Sequence, residues 1–362
     1  MRILTEADAE AACLGGGVFA CGGGGWLEHG LQNGRLATTL GRPQLASVDE
    51  LPDAGVIVTI SAIGAPAAPH WEMWPKDYLR AFDLLRREID EPIVGLINAQ
   101  NGYSSTVNPW LHSALTGVPV VDASGDVRAH PTIQLGAMGF AGDPGFSTVQ
   151  TAAGGNRARG AYLEVVARGT LVKTSNLLRR ASVESDGFIA AARLPLPVRV
   201  VRERAAVGAV SVAIRLGESI REERGAGPRA AIEAITASTG GEILGEGEVA
   251  EKELKTEGGF DHARIVVEAA PRALTLYALN EFMAVDAAER RVATYPDVIA
   301  VLSTENGMPV PVSAIAPGTS LAVLRVDSKK LPRSAGAVDP AAYPELEELT
   351  GLELQRYVFR DG

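Results

Sequence analysis

The sequence Val56-Ile57-Val58-Thr59-Ile60-Ser61-Ala62-Ile63-Gly64 is a run of apolar and β-branched residues that ends in small ones, which predicts a buried strand. An amphipathic segment from Tyr78 to Ile89 follows, and then a second apolar run at 93–97, a helical pattern at 108–115 and a third apolar run at 118–122. Strands that alternate with helices at this spacing indicate a parallel sheet. We therefore predict an α/β amino-terminal domain with a mostly parallel sheet.

A glycine-rich stretch lies upstream of this strand, Gly15-Gly16-Gly17-Val18-Phe19-Ala20-Cys21-Gly22-Gly23-Gly24-Gly25-Trp26. The capping-box pattern at 5–8 predicts a helix through Leu14 that ends at the first three glycines. The run 22–25 should then precede a second helix, where free N–H groups favour an anion. A Walker lysine and a preceding strand are both absent from the sequence pattern, so we do not expect a nucleotide site.

Cys21 has two interpretations. In the functional one, the helix amino terminus lowers the pKa of its thiol and makes it a nucleophile. In the structural one, the glycines allow close packing and Cys21 is a small buried apolar residue. The local sequence favours neither interpretation.

Polar residues follow the carboxyl end of each predicted strand, where open α/β sheets bind their ligands. Together with the glycine loop they are expected to form one cleft. The alternatives are turn capping for the acids and a structural hydrogen bond for the histidine. The candidates at this edge are Ser61, Gly64, His70, Asn98, Gln100, Asn101, Asp122, Asp126, Arg128 and His130.

The second half of the chain has a different composition, and the change comes near Ser185. We divide the chain into an α/β domain at 1–168, which holds the glycine-rich loop, and a carboxy-terminal domain at 169–362. Helices within 207–239 are expected to pack on the first domain. From about residue 241, short strands separated by glycine, asparagine and proline turns predict a β-rich barrel or sandwich.

Composition and charge limit the partners. The net charge of −10 and the lack of a long basic cluster argue against nucleic-acid and membrane partners. Two cysteines make no disulfide framework, and the amino terminus lacks an apolar signal segment, so we expect a reduced cytoplasmic protein. We also expect a homo-oligomer that acts on a small heterocyclic molecule.

No cofactor is expected, because the sequence has no short metal-binding motif. Metal binding stays an alternative, since four residues carry atoms that suit zinc. They are His70, Asp122, Asp126 and His130.

Segments along nearly the whole chain resemble the S-methyl thiohydantoin desulfurase family. These segments are Leu4-Thr5-Glu6-Ala7-Asp8, Gly22–Gly25, Pro119-Val120-Val121-Asp122 with Arg128-Ala129, Thr256-Glu257-Gly258-Gly259-Phe260, Leu279-Asn280-Glu281 and Tyr295-Pro296-Asp297-Val298-Ile299. The resemblance implies an α/β domain followed by a β-rich domain. It also implies that Asn280 and Glu281 reach the cleft from the second domain, the alternative being a turn-capping Asn beside a solvated Glu.

This chain departs from the family pattern at three places. Cys21 stands where many members have threonine, and His130 stands where many have phenylalanine. The segment Asn98-Ala99-Gln100-Asn101-Gly102 is also altered. A thiol and an imidazole at expected cleft positions favour a chemically active member.

The family activity implies hydrolysis of an S-methyl thiohydantoin, with or without a propionate side chain, to a hydantoin and methanethiol. We predict Cys21 as the nucleophile and His130 as its base, with Asp122 or Asp126 orienting the imidazole. The amides of Gly22, Gly23 and Gly24 would stabilise developing charge, and Arg128 would bind a substrate carboxylate. The predicted substrate site is completed by His70, Asn98, Asn101, Asn280 and Glu281.

Two alternatives remain open from the sequence. In the first, water attacks directly, activated by His130 or by a metal ion. In the second, the protein is a non-catalytic ligand-binding or accessory subunit of a hydantoinase- or oxoprolinase-type system.

Overall fold

The computed structural model describes residues 1–359, and within them the chain forms two β-sheets with helices around and between them. Sheet A consists of β1 (Arg2–Ile3), β2 (Gln44–Ala46), β3 (Val56–Gly64), β4 (Ile93–Gln100), β5 (Val120–Asp126), β6 (Ser147–Gly154), β7 (Leu163–Thr170), β8 (Phe188–Pro197) and β9 (Ala206–Val207). Sheet B consists of β10 (Glu242–Glu257), β11 (Phe260–Ala270), β12 (Leu274–Leu279), β13 (Glu281–Ala287), β14 (Arg290–Thr294), β15 (Val298–Ser303) and β16 (Ser320–Val326).

The α-helices of the described residues surround sheet A and link it to sheet B. They are α1 (Glu6–Phe19), α2 (Leu27–Leu40), α3 (Pro75–Arg86), α4 (Trp110–Thr116), α5 (Ile133–Gly136), α6 (Leu171–Glu184), α7 (Val198–Arg204), α8 (Ala209–Glu223), α9 (Pro228–Thr239), α10 (Tyr343–Thr350) and α11 (Gln355–Val358).

Sheet A has the strand order β1-β2-β5-β4-β3-β8-β6-β7, with β9 paired to β5. The central strands β2, β5, β4 and β3 run parallel. Antiparallel strands extend the sheet on both sides. The predicted α/β fold is therefore confirmed. Parallel strands need crossover connections, and helices of the amino-terminal half provide them.

Strand β8 lies between β3 and β6 in sheet A, although it comes after residue 168 in the chain. The carboxy-terminal half therefore contributes a strand to the first sheet. The division at 168 and 169 stays a prediction about folding units. Helix α8 packs on α1 and β5, which places part of the segment 207–239 against the first sheet.

Helix α1 begins as the sequence predicts but does not end there. The Asp8 N–H donates to Thr5 Oγ1 at 3.2 Å and the Thr5 N–H donates to Asp8 Oδ2 at 2.8 Å, which completes the capping box. The prediction that Gly15 ends the helix is wrong, since the helix continues to Phe19. A β-carbon on Gly15 would lie 1.9 Å from the Ala213 carbonyl oxygen of α8. The glycines cost about 1 kcal/mol each in a helix, and close packing offsets that cost.

Sheet B is antiparallel, with the order β14-β13-β12-β11-β10-β16-β15. Strands β13 and β15 contact each other although they stand far apart in this order, so the sheet curls into a half-barrel. The β-rich carboxy-terminal domain is thereby confirmed. Its inside is filled by apolar side chains such as Ile265, Leu276 and Val323.

A shared core joins the two sheets. Phe19 of α1, Leu216 of α8 and Ile235 of α9 pack against residues of β15 and β16. Main-chain bonds also cross between the two halves, from the Phe282 N–H to the Cys21 carbonyl at 2.7 Å and from the Val312 N–H to the Gly22 carbonyl at 2.9 Å. The loop after α1 is therefore fixed to the carboxy-terminal half of the chain.

Candidate active site

A cavity of about 50 Å³ lies at the carboxyl ends of β3 and β4 and beside the segment that follows β5. The loop at Gly24 and Gly25 forms one side, and residues of sheet B close the cavity from the other half of the chain. This is the edge at which the sequence predicted a cleft. The polar side chains of its wall are Ser61, Gln100, Ser104, Ser105, Asn108, His130, Thr132, Arg179, Arg193, Asn280 and Glu281.

Several side chains of this wall have a buried polar atom with no hydrogen-bond partner among residues 1–359. These atoms are Ser61 Oγ, Asn108 Oδ1, His130 Nε2, Thr132 Oγ1, Arg193 Nε and Glu281 Oε2. A buried polar group without a partner costs about 1–3 kcal/mol. Their concentration around one cavity indicates a site for a polar ligand that supplies the partners.

Two hydrogen bonds fix the position of His130. Its backbone N–H donates to Gln100 Oε1 at 3.1 Å, and its ring Nδ1 lies 2.8 Å from the Thr132 carbonyl oxygen. Because a carbonyl only accepts, Nδ1 carries the proton and Nε2 keeps its lone pair in the neutral ring. Burial lowers the pKa of His130 to about 3, and the positive charge of Arg193 adds to this effect. His130 is thus a neutral hydrogen-bond acceptor.

The ring of His130 fits because position 136 has no side chain. A β-carbon on Gly136 would lie 2.4 Å from His130 Nε2.

Arg179 and Arg193 bring positive charge to the wall. Arg179 donates to the carbonyls of Gly64 at 3.2 Å, Gly259 at 3.1 Å and Pro131 at 2.6 Å, so it links two segments of the cavity wall to the turn between β10 and β11. Arg193 of β8 is only 6% exposed, and burial lowers its pKa to about 9, with the like charge of Arg179 adding to the shift. A buried cation with a free Nε is suited to an anion.

Asn280 and Glu281 reach the cavity from sheet B. Asn280 has a φ of 58° and its Oδ1 accepts from the Asp261 N–H at 2.8 Å. Glu281 is 3% exposed, and burial raises its pKa to about 8 although Arg128 and Arg179 oppose the shift. A β-carbon on Gly23 would lie 2.3 Å from Glu281 Oε1, so the glycine leaves room for this carboxyl.

Cys21 lies outside the cavity wall. Its side chain is fully buried in the core that joins the two sheets. Burial raises the pKa of its thiol to about 11, so the predicted lowering by the helix terminus is wrong in direction. The structural interpretation of this residue, a small buried side chain beside closely packed glycines, agrees with its surroundings.

Arg128 is bound across the two halves of the chain and does not line the cavity. Its guanidinium donates to the carbonyls of Ala129 at 2.9 Å, Asp297 at 2.7 Å and Phe282 at 2.9 Å. The prediction that it binds a substrate carboxylate is therefore corrected, since the side chain is off the cavity wall and each of its three nitrogens donates to a protein carbonyl.

Asp122 and Asp126 do not orient His130, contrary to the prediction. Asp122 accepts from the Ser211 N–H at 2.9 Å and from its hydroxyl at 2.6 Å, so it caps the first turn of α8. Asp126 accepts from the Tyr295 hydroxyl at 2.8 Å, and burial raises its pKa to about 6. Both carboxyls hold the fold together at positions where the sequence suggested catalysis.

The two predicted amides at the carboxyl end of β4, Asn98 and Asn101, are also structural. Asn98 donates to the Gln100 carbonyl at 2.8 Å and to Asn101 Oδ1 at 3.1 Å. Asn101 donates to the Ala209 carbonyl at 2.9 Å. They shape the end of β4 and the contact with α8, and neither lines the cavity.

The remaining predicted contacts divide between the cavity and the surface. His70 is exposed, and its carbonyl accepts from Asn156. Gly22 packs against sheet B and Gly23 against Glu281, whereas Gly24 lines the cavity. Of the predicted catalytic and substrate-binding residues, Gly24, His130, Asn280 and Glu281 lie on the wall, together with the strand-end candidates Ser61, Gly64 and Gln100.

The sequence reasoning missed the two arginines. A signal for Arg193 was present, because it is the single charge in the apolar run Phe188-Ile189-Ala190-Ala191-Ala192-Arg193-Leu194. A charge inside such a strand is costly unless it has a function or a partner. Arg179 belongs to an amphipathic helix with other charged residues, so no comparable signal marks it.

Residues 1–359 contain neither a cluster of metal ligands nor a membrane-spanning helix. No group of three or more His, Cys, Asp or Glu side chains there is placed to hold a metal ion. None of the helices in the same range is both long and apolar enough to cross a bilayer.

Two family models match the chain. They are S-Me-THD-like, N-terminal domain, at residues 7–159, and S-Me-THD-like, C-terminal domain, at residues 170–343. An X-ray crystal structure of a protein from Chromobacterium violaceum shares the fold, with a TM-score of 0.73 and 21% sequence identity over 98% of this chain and 99% of that chain. No curated protein matches the chain.

Proposed function

The chain belongs to the S-Me-THD-like family, and we propose that it hydrolyses an S-methyl thiohydantoin to a hydantoin and methanethiol. The observation that supports this proposal most is the small cavity with its unpartnered donors and acceptors. Such a wall suits a small ring that carries several nitrogen and oxygen atoms of its own.

The size of the cavity favours a ring of this kind. A water molecule needs about 10–15 Å³ of such space, so about 50 Å³ corresponds to a few water molecules. Sites for drug-sized ligands occupy about 300–1,000 Å³. A single five-membered ring is therefore a better match than a nucleotide or a peptide.

The attacking group in this proposal is water. Cys21 is buried away from the cavity with a protonated thiol, so it has neither the access nor the charge of a nucleophile. His130 Nε2 accepts a hydrogen bond from the water and positions its oxygen against the ring carbon that bears sulfur.

Arg193 stabilises the charge that forms in the reaction. Attack on that carbon moves an electron pair onto a ring nitrogen, and a buried cation with a free donor lowers the energy of that state. Ser61, Asn108 and Thr132 provide further polar atoms for the carbonyl and the N–H group of the ring. The binding groups thus come from β3, β8 and the segments after β4 and β5.

The test is release of methanethiol from S-methyl 2-thiohydantoin, with and without a propionate side chain, measured with a thiol reagent. Arg193→Gln is expected to lower kcat/KM about 10²- to 10³-fold, as loss of a charge-stabilising donor does elsewhere. Arg199→Gln, at an exposed position of α7, is the matched control and should keep full turnover. Binding of both compounds without any methanethiol would contradict the proposal and favour a non-catalytic binding protein.

A further inference from the structure

The cavity contains one carboxyl for which the proposed function gives no role. Glu281 is the first residue of β13 and is almost completely buried. Its Oε1 lies against the backbone of Gly23, and its Oε2 has no hydrogen-bond partner among the residues that the structure describes. One oxygen is therefore fixed by packing and the other is free for a ligand.

The charged groups that act on the Glu281 proton are Arg128, Arg179 and Asp261. Arg193 and His130 line the same cavity, and the Cys21 thiol lies close enough to feel the carboxylate charge. Arg128 and Arg179 favour the carboxylate, and burial and Asp261 favour the neutral acid. Burial is the larger effect and raises the pKa to about 8. A carboxyl with a pKa close to neutrality both accepts and releases protons readily.

We propose that Glu281 is the acid–base residue of the reaction, which takes a proton from the attacking water and returns it to the departing sulfur. This inference rests on the proposed function. It adds a catalytic residue from sheet B to a binding site that is built mainly from sheet A.

The two steps balance with this single carboxyl. In the first, the Glu281 carboxylate takes a proton from water, the water oxygen bonds to the ring carbon, and the C=N electron pair moves to the ring nitrogen near Arg193. In the second, the C–S bond breaks with its electron pair on sulfur, and Glu281 gives its proton to that sulfur. The ring nitrogen reforms its double bond, and the hydroxyl product tautomerises to the hydantoin.

Gly23 leaves the space that the Glu281 carboxyl occupies. A β-carbon there would lie 2.3 Å from Glu281 Oε1 and 2.7 Å from Cδ. Any larger residue would push the carboxyl away from its position. Gly23 is thus a positioning residue, and the glycine run serves the carboxyl rather than the thiol beside it.

The experiment is a pH profile of kcat and KM between pH 6 and 10 for the full chain and its variants. Because the carboxylate is the reactive form, kcat/KM of the wild type should rise with pH up to about 8, and it should fall again above about 9, where Arg193 loses its charge. Glu281→Gln should lower kcat about 10²- to 10⁴-fold with little change in KM, and remove the rise with pH. Glu281→Asp should keep a pH-dependent fraction of the activity.

Glu345→Gln is the matched control, because Glu345 is another partly buried carboxyl near Arg179 that lies off the cavity wall. It should keep both the rate and the profile. If the wild type releases methanethiol and Glu281→Gln, shown to be folded by circular dichroism, keeps rate and profile, this inference is wrong and the proposed function stands. If the wild type releases no methanethiol, the proposed function itself fails.

Discussion

Among the buried polar groups of residues 1–359, the cluster around Arg128 and the cluster around Arg193 differ in whether their hydrogen bonds are made. Around Arg128, at the contact between the two halves, the guanidinium donates to three carbonyls and Asp126 accepts from Tyr295. Around Arg193, at the cavity, buried polar atoms such as Arg193 Nε and Glu281 Oε2 have no hydrogen-bond partner among residues 1–359. A buried charge with all its partners maintains the fold, whereas one without partners indicates a place for a ligand.

The largest expected effect is on stability at the contact between the halves. Arg128→Met leaves three buried carbonyls without donors, so the free energy of unfolding should fall by about 3 kcal/mol or more. Arg193→Met removes an unpaired charge instead and should change that free energy by less than about 1 kcal/mol. Urea denaturation of both variants measures the difference. Equal losses would remove the distinction between the two clusters.

The next effect depends on pH. The pKa of Glu281 is raised in the folded state to about 8 from an ordinary 4.5, so the folded protein holds a proton that the unfolded chain releases. This costs stability progressively as pH rises from about 4.5 to 8. Glu281→Gln should therefore melt at a higher temperature than the wild type at pH 8 and at a similar temperature at pH 4.5.

Thermal denaturation in both buffers tests the sign of this effect. Asp126 also has a raised pKa, but it titrates at about 6 and is present in both proteins, so it cancels in the comparison. A melting temperature of Glu281→Gln below that of the wild type at pH 8 would show that the carboxyl is ionised and paired in the folded protein.

The smallest expected effect concerns Cys21. Cys21→Ala removes one buried atom from the shared core, so stability should fall by about 1 kcal/mol and turnover should stay within about twofold of the wild type. Methanethiol release and urea denaturation measure the two quantities. A loss of turnover above tenfold in a stably folded variant would return the nucleophile role to this thiol.

Much of the fold could be predicted from the sequence, because the local pattern of apolar and polar residues determines the strands and helices. The alternating strands and helices predicted the parallel part of sheet A, and the polar strand ends predicted where the cavity lies. The roles of single residues depend on partners far along the chain. Arg128 is occupied by the carbonyl of Asp297, and Gly15 is helical because α8 packs on it. Neither contact leaves a trace near these residues in the sequence.

The same limit explains why the sequence predicted Cys21 as the reactive group. A thiol next to glycines resembles a reactive site when only its neighbours in sequence are known. The curled sheet B covers it, and the pairing of Phe282 with the Cys21 carbonyl shows how close that cover lies. Arg193 could have been found from its place in an apolar strand, whereas Arg179 required the structure.

The cavity draws its cation from β8 of sheet A and its carboxyl from β13 of sheet B. The site is complete only where sheet A and sheet B meet, so turnover would depend on the packing of the two sheets against each other as well as on the folding of each. An assay of methanethiol release would then also measure whether the two sheets are packed together. Conditions that loosen this packing would lower the proposed activity while the circular dichroism spectrum stays native-like.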